Sequence, residues 1–125
     1  MYAIKVRASF SAAHNLRGYQ GRCERLHGHN WKVEAQIHSR RLNKLSMVCD
    51  FKEVKKRLEK VLTPLDHTYL NKLAYFKKNN PTSEKLAEFI FCELKKLIKG
   101  KGLILKQVLV WETGTSCAVF SQERG

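Results

Sequence analysis

The chain has 125 residues, of which 43% are hydrophobic and 28% charged. That length suggests one domain, residues 1–125, able to bury a core without disulfide staples, and no apolar run approaches the roughly 20 residues of a membrane-spanning helix. Twenty-four Lys and Arg face eleven Asp and Glu, a net charge of +13, which excludes a generally acidic surface and suits anionic partners, either nucleic acid or a phosphorylated metabolite.

In chain order, YAIKVRASF alternates. Tyr2, Ile4, Val6, Ala8 and Phe10 share one face, with Ala3, Lys5, Arg7 and Ser9 on the other. Period-two alternation predicts a half-buried strand. It is not the continuous apolar block of a signal peptide, so a cytoplasmic protein is expected. A glycine-bearing loop follows, NLRGYQGRCERLHGH. NWKVEAQIHS then repeats the pattern, with Trp31, Val33, Ala35 and Ile37 inward. SMVCDF reads as a short strand running into a helix that Asp50 caps, with Glu53 three residues on. Phe51, Val54, Leu58, Val61 and Leu62 line one face of that helix, which Pro64 ends. Thr82 caps a second helix whose stripe is Leu86, Phe89, Ile90, Leu94 and Leu97, and Gly100 stops it. LILKQVLVWE is a third strand, Gly114 turns the chain, and SCAVFS returns as a fourth. The order ββααββ predicts an α+β fold, a four-stranded antiparallel sheet with two helices on one face. The uncovered face and the open edges point to assembly with further copies.

The four cysteines, Cys23, Cys49, Cys92 and Cys117, show no paired spacing. In a cytosolic chain this disfavours a disulfide framework. Cys49, Cys92 and Cys117 lie in apolar stretches and read as buried thiols.

His27 and His29 stand two apart at a strand start, so their imidazoles point the same way. Gly28 between them leaves room for other groups. His14 follows the first strand in FSAAHN, and a hairpin carries it back over the pair. Three imidazoles with an open fourth position describe a catalytic zinc. His38 lies roughly 30 Å from His29 at about 3.3 Å per residue and reads as a surface residue. Cys23 stays open at this point. It can close the site as a fourth ligand, or stand free beside a dication, Arg22 and Arg25, which would lower its pKa and make it a base or nucleophile.

Asp66 and His67, in LDHTYLN, form a second constellation. A carboxylate beside an imidazole can orient it for proton transfer, although a turn aspartate next to a helix-end histidine is the ordinary reading. Glu112 ends the third strand, where a carboxylate can pair with a ring carrying adjacent N–H and amino donors. It reads equally well as an exposed strand-end acid. Trp111 and Phe120 read as core or interface.

FSAAHN, CERLHGHNWKVE, VCDFKEVK, LDHTYLN, NPTSEKLAEFIF and VWETGTSCAVF together resemble the 6-pyruvoyltetrahydropterin synthase-like proteins, in the same order and over almost the whole chain. The likeness is greatest to the 6-carboxytetrahydropterin synthase branch of queuosine biosynthesis. That resemblance implies the tunnelling fold. It implies one zinc ion per subunit on His14, His27 and His29, with Cys23 as a catalytic proton acceptor and not a ligand. It implies a proton relay of Asp66 and His67, and Glu112 as the anchor of the pterin ring, with Thr82, Ser83 and Glu84 lining or supporting that pocket. It also implies a homo-oligomer, commonly a hexamer, with sites at subunit interfaces, so that Asp66 and His67 serve a pocket whose zinc sits in a neighbour. The implied reaction converts 7,8-dihydroneopterin triphosphate to 6-carboxy-5,6,7,8-tetrahydropterin, acetaldehyde and triphosphate.

Two other readings compete. One is 6-pyruvoyltetrahydropterin synthase activity on the same substrate, disfavoured by the tail TGTSCAVF, which is like the carboxy-forming branch. The other is a basic nucleic-acid-binding module whose structural zinc is held by Cys23 and three histidines. No aromatic-and-basic recognition motif supports that module, and nucleic acid is not the expected partner. The short loop between His14 and Cys23 weighs against a pterin-aldolase role.

Overall fold

The computed structural model describes residues 1–18 and 25–122. Two long strands, β1 (Tyr2–His14) and β2 (His27–Ser39), pair antiparallel along their whole length, from Tyr2 opposite Ser39 to His14 opposite His27. Both run beyond the stretch that alternation marks. His14 is therefore the last residue of β1 and not part of the loop after it. It shares the buried face with Phe10 and Ala12. On β2, Trp31, Val33, Ala35 and Ile37 are wholly buried.

β4 (Ile104–Thr113) lies against β2, and β5 (Ser116–Ser121) against β4. Among the described residues the sheet has five strands, in the order β3-β1-β2-β4-β5, not four. The extra strand, β3 (Thr68–Tyr69), pairs parallel to β1 through Ala12 and Ala13, so the sheet is mixed. Two residues are too few to carry a period-two pattern. What places them is backbone chemistry, since the His67 N–H donates to the Ser11 carbonyl along the free edge of β1.

Helices α1 (Phe51–Leu62) and α3 (Ser83–Leu97) cover one face of the sheet. Asp50 caps α1 by accepting from the Lys52 N–H, and Thr82 caps α3 by accepting from the Lys85 N–H, contacts typically worth about 1 kcal/mol. Val54, Leu58, Val61 and Leu62 of α1 meet Leu86, Ala87, Ile90, Phe91 and Leu94 of α3 and the inward side chains of the strands in one core. Phe51, expected on the buried stripe, is exposed at the first position of α1. A further short helix, α2 (Ala74–Lys78), follows a 3-10 turn (Leu70–Lys72). Five residues cannot hold a helix in isolation; fully buried Phe76 docks this one.

SMVCDF is not a strand. The Asn43 side chain accepts from the N–H groups of Leu45 and Met47, and Ser46 takes a φ of 63°. Local side-chain bonding of this kind competes with a sheet ladder and wins here. Cys92 and Cys117 are exposed, against the expectation of buried thiols, whereas Cys49 is half-buried and packs against the core. Cys92 faces out from α3, and Cys117 pairs with Trp111 on the uncovered face of the sheet. Phe120 does join the core side, with its ring 5.1 Å from that of Phe91.

Candidate metal centre

The β1–β2 register sets the site. His14 faces His27, and His29 faces Ala12, so the three imidazoles stand on the helix-covered face at one end of the sheet. Beneath them lies Trp31, fully buried, its ring edge-on to His14 and His29 with centroids 5.0 and 5.2 Å away. This floor holds the histidines apart from the apolar core and keeps water from one side.

All three rings turn Nε2 toward one point. The His14 Nδ1–H donates to the Pro81 carbonyl at 2.7 Å, and the His27 Nδ1–H donates to the Arg25 carbonyl at 2.7 Å. A carbonyl carries no proton, so in the neutral rings Nδ1 holds the hydrogen and Nε2 a bare lone pair. Those two Nε2 atoms lie 2.9 Å apart. Lone pairs that close repel each other unless a proton or a cation lies between them. His29 Nε2 is buried without a hydrogen-bond partner. It lies at ion-pair distance, 2.9 Å, from Glu112 Oε1. Burial, the dominant cause, lowers the pKa of both His14 and His29 from 6.5, which favours the neutral ligand form. Orienting carbonyls, opposed lone pairs and an orphaned nitrogen are the marks of a metal site, and the donor set fits zinc.

The fourth group of this cluster is Glu112. Its Oε1 lies 3.4 Å from His14 Nε2 and 4.0 Å from His27 Nε2. The four ligand atoms all fall within 4.8 Å of one another. Between Trp111 and Thr113 the β4–β5 register slips. Glu112 lies at the slip, two residues beyond buried Val110, so strand alternation puts it on the same face as the histidines. Ser83 Oγ–H donates to Glu112 Oε2 at 3.3 Å. The entry to α3 thus supports two members of the cluster, Pro81 holding His14 and Ser83 holding Glu112. Thr82 caps α3, and Glu84 in the first turn is exposed. Nothing in the sequence alone marks the Pro81 carbonyl, because a main-chain acceptor has no residue-type signature.

Asp66 and His67 form a pair, with His67 Nδ1 3.1 Å from Asp66 Oδ2. Asp66 Oδ1 accepts from the Ser11 N–H at 2.9 Å. That bond, first among its causes, lowers the Asp66 pKa from 3.8. His67 has a φ of 56° and a side chain 82% exposed. Left-handed backbone at a non-glycine residue is typical of functional sites. The pair is outside the four-donor cluster, but His67 and His29 both line an open groove of about 530 Å³ across the end of β1, β2 and β3. Cys23 lies outside the described residues. A larger cavity, about 1140 Å³, sits at the opposite end of the sheet among Arg40, Arg41, Lys101 and Lys106. It contains none of the clustered donors and is not the chemical site.

The family model for 6-pyruvoyl tetrahydropterin synthase matches residues 3–123. This chain belongs to that family. It is 39% identical over 109 residues to a putative 6-carboxy-5,6,7,8-tetrahydropterin synthase of Archaeoglobus fulgidus, covering 87% of this chain and 86% of that one. It is 37% identical over 130 residues to the 6-carboxy-5,6,7,8-tetrahydropterin synthase of Synechocystis sp., covering 99% and 96%. A relative in Pyrococcus furiosus, 36% identical over 109 residues and covering 87% and 88%, is a dihydroneopterin monophosphate aldolase. Among solved structures, 6-pyruvoyl tetrahydropterin synthase of Caenorhabditis elegans superposes with a TM-score of 0.88 at 27% identity, covering 98% and 96%. The family's fold is therefore the fold of this chain, with its strands in the arrangement described above.

Proposed function

We propose that this chain converts 7,8-dihydroneopterin triphosphate and one water to 6-carboxy-5,6,7,8-tetrahydropterin, acetaldehyde and triphosphate, as a carbon–carbon lyase of queuosine biosynthesis. The observation that carries this reading is the convergence of His14, His27, His29 and Glu112 in a chain whose relatives at 37–39% identity are named for this product. His14, His27 and His29 would hold one zinc ion. When bound, zinc would supply Lewis-acid polarisation of the substrate's side-chain hydroxyls.

The remaining work falls to the chain's own groups. Glu112 accepts from the N–H and amino donors of the pterin ring, while Ser83 fixes its second oxygen and Thr82 and Glu84 support the same helix entry. Cys23, next to Arg22 and Arg25, serves as the thiolate proton acceptor. His67, oriented by Asp66, returns protons to the side chain. Its exposure on an open groove suits a pocket completed by a second copy, so the reading includes a homo-oligomer, hexamer favoured, with sites at subunit interfaces and zinc in the neighbour. The basic surface suits a triphosphate. No helix of the described residues is long and apolar enough to cross a membrane, and the proposed setting is the cytoplasm.

Production of 6-pyruvoyltetrahydropterin is the second reading, favoured by the structural likeness to the nematode enzyme. Acetaldehyde separates the two, because only the carboxy-forming reaction releases it. Incubating zinc-loaded protein with 7,8-dihydroneopterin triphosphate should yield acetaldehyde and the carboxylated pterin together. Loss of triphosphate without acetaldehyde would transfer the assignment to the pyruvoyl-forming reaction.

A further inference from the structure

We infer that Asn71 and Asn80 are positioning residues of the metal centre, whose side-chain amides hold the chain leaving β1 and so fix the ring of His14 as a ligand. This rests on the zinc reading proposed above and adds to it two side chains that act only through His14.

The pairing of β1 with β2 ends at His14, opposite His27. The other edge of β1 is held further along. Ser11 is gripped there at both main-chain groups, its N–H by Asp66 Oδ1 and its carbonyl by the His67 N–H, and β3 then pairs with Ala12 and Ala13. Beyond His14 two asparagine side chains take over. Asn71 Oδ1 accepts from the Asn15 N–H at 3.1 Å, and Asn71 Nδ2 donates to the Asn15 carbonyl at 2.9 Å. Two residues on, Asn80 accepts from the Arg17 N–H and donates to the Arg17 carbonyl, both at 2.9 Å. A primary amide carries an acceptor and donors side by side. Each asparagine therefore matches the N–H and carbonyl of one residue, as a strand partner would. Arg17 Nη2 also donates to the Asn79 carbonyl, at 3.3 Å.

These bonds reach the metal centre through Pro81. Its carbonyl accepts from His14 Nδ1 and so turns Nε2 toward the other imidazoles. Asn80 precedes Pro81, and the Asn80 carbonyl accepts from the Thr82 N–H at 2.8 Å, which closes a tight turn around Pro81. Through its side chain Asn80 fastens that turn to Arg17, three residues after His14. Ring and acceptor thus ride on one frame, although 67 residues separate them in sequence. Asn71, buried in the 3-10 turn, fastens the residue next to His14 to the same segment. A clamp that served fold stability alone would not need to sit both beside a ligand and beside the acceptor that orients it. Outer partners that orient a ligating histidine are typically worth roughly 10–100-fold in metal affinity.

The test measures zinc affinity of the full-length protein by competition with a chelator of known affinity, together with thermal unfolding of the same metal-free samples. Asn71→Ala and Asn80→Ala should each weaken zinc binding about tenfold or more. Asn80 is only half-buried, so Asn80→Ala keeps the question open to measurement if Asn71→Ala does not fold. Asp50→Ala is the comparator. It removes the α1 cap, close in sequence to Val48 at the opposite end of the sheet. It should lower Tm and leave zinc affinity within about twofold of wild type, as expected of a distant site. Nitrogen-15 spectra of the imidazoles give a signature that lost stability alone does not move. Metal-free wild type should carry the His14 proton on Nδ1, and Asn80→Ala should shift part of the population to the Nε2–H form. Zinc affinity within about twofold of wild type in every variant that folds would overturn the proposal. So would an unchanged His14 tautomer beside a loss of affinity no larger than that of Asp50→Ala. Acetaldehyde production by the wild-type zinc protein is scored separately. Its absence beside the expected affinities would refute the assigned reaction and leave the two asparagines as positioning residues of a metal site.

Discussion

The Nε2 atoms of His14 and His27 stand 2.9 Å apart, although the Nδ1–H of each ring already donates to a main-chain carbonyl. Two neutral imidazoles fixed in this way cannot satisfy each other. His14→Ala should therefore cut zinc affinity by at least about a hundredfold, beyond the usual effect of losing an outer-shell partner. Metal analysis after dialysis against a weak chelator checks this, and full zinc retention would contradict it.

Acid should unfold the metal-free protein early. Burial lowers the pKa of His14 and His29 from 6.5, so the unfolded chain takes up protons first as pH falls. Their contribution to stability is present above about pH 6.5 and is lost as pH drops from there through the lowered folded values. The Tm of metal-free protein should be level between about pH 8 and 7 and fall below about pH 6.5. Zinc, which competes with protons for the same nitrogens, should move that fall to lower pH. A metal-free Tm that rises on acidification over this range would have the wrong sign.

Cys23→Ser should keep its zinc and lose about 10²–10⁴-fold in turnover, the range for removal of a proton-transfer group. Loss of zinc in proportion to activity would make Cys23 a ligand, and the site a structural cage. Metal content and single-turnover rates on the same preparation decide between them.

His67→Asn is the informative change in the relay, because asparagine tolerates the left-handed backbone at φ 56°. It should leave the unfolding free energy within about 1 kcal/mol of wild type while turnover falls about 10²-fold or more. Asp66→Asn should lose activity less steeply, and its pH–rate profile should shift because the imidazole loses its orienting carboxylate. An unchanged profile would remove Asp66 from the relay.

Ser83→Ala should raise KM about threefold to tenfold, from loss of one net hydrogen bond of about 1 kcal/mol. Zinc content should stay the same. The contact at 3.3 Å is long, so a larger effect would mean that Ser83 touches substrate directly.

Much of this was legible in the chain. Alternation in YAIKVRASF and NWKVEAQIHS fixes the parity that puts Trp31 inward, and the same parity carries His27 and His29 to the helix side. The helices were readable from Asp50, Thr82 and their apolar spacing. What escaped depends on main-chain partners or on very short segments. β3 is two residues held by one strand edge, and the Pro81 carbonyl that orients His14 is 67 residues away in sequence. The false strand at SMVCDF was apolar enough to qualify, but one asparagine side chain redirects its backbone. The exposed Cys92 and Cys117 show that an apolar neighbourhood in sequence does not establish burial on a helix or a sheet with one covered face.

The most direct measurement is product analysis of the zinc-loaded protein with 7,8-dihydroneopterin triphosphate, alongside dihydroneopterin monophosphate as a control substrate. Stoichiometric acetaldehyde and 6-carboxy-5,6,7,8-tetrahydropterin from the triphosphate, with little turnover of the monophosphate, is the result expected here. No acetaldehyde from the triphosphate, or preferential turnover of the monophosphate, would contradict the account.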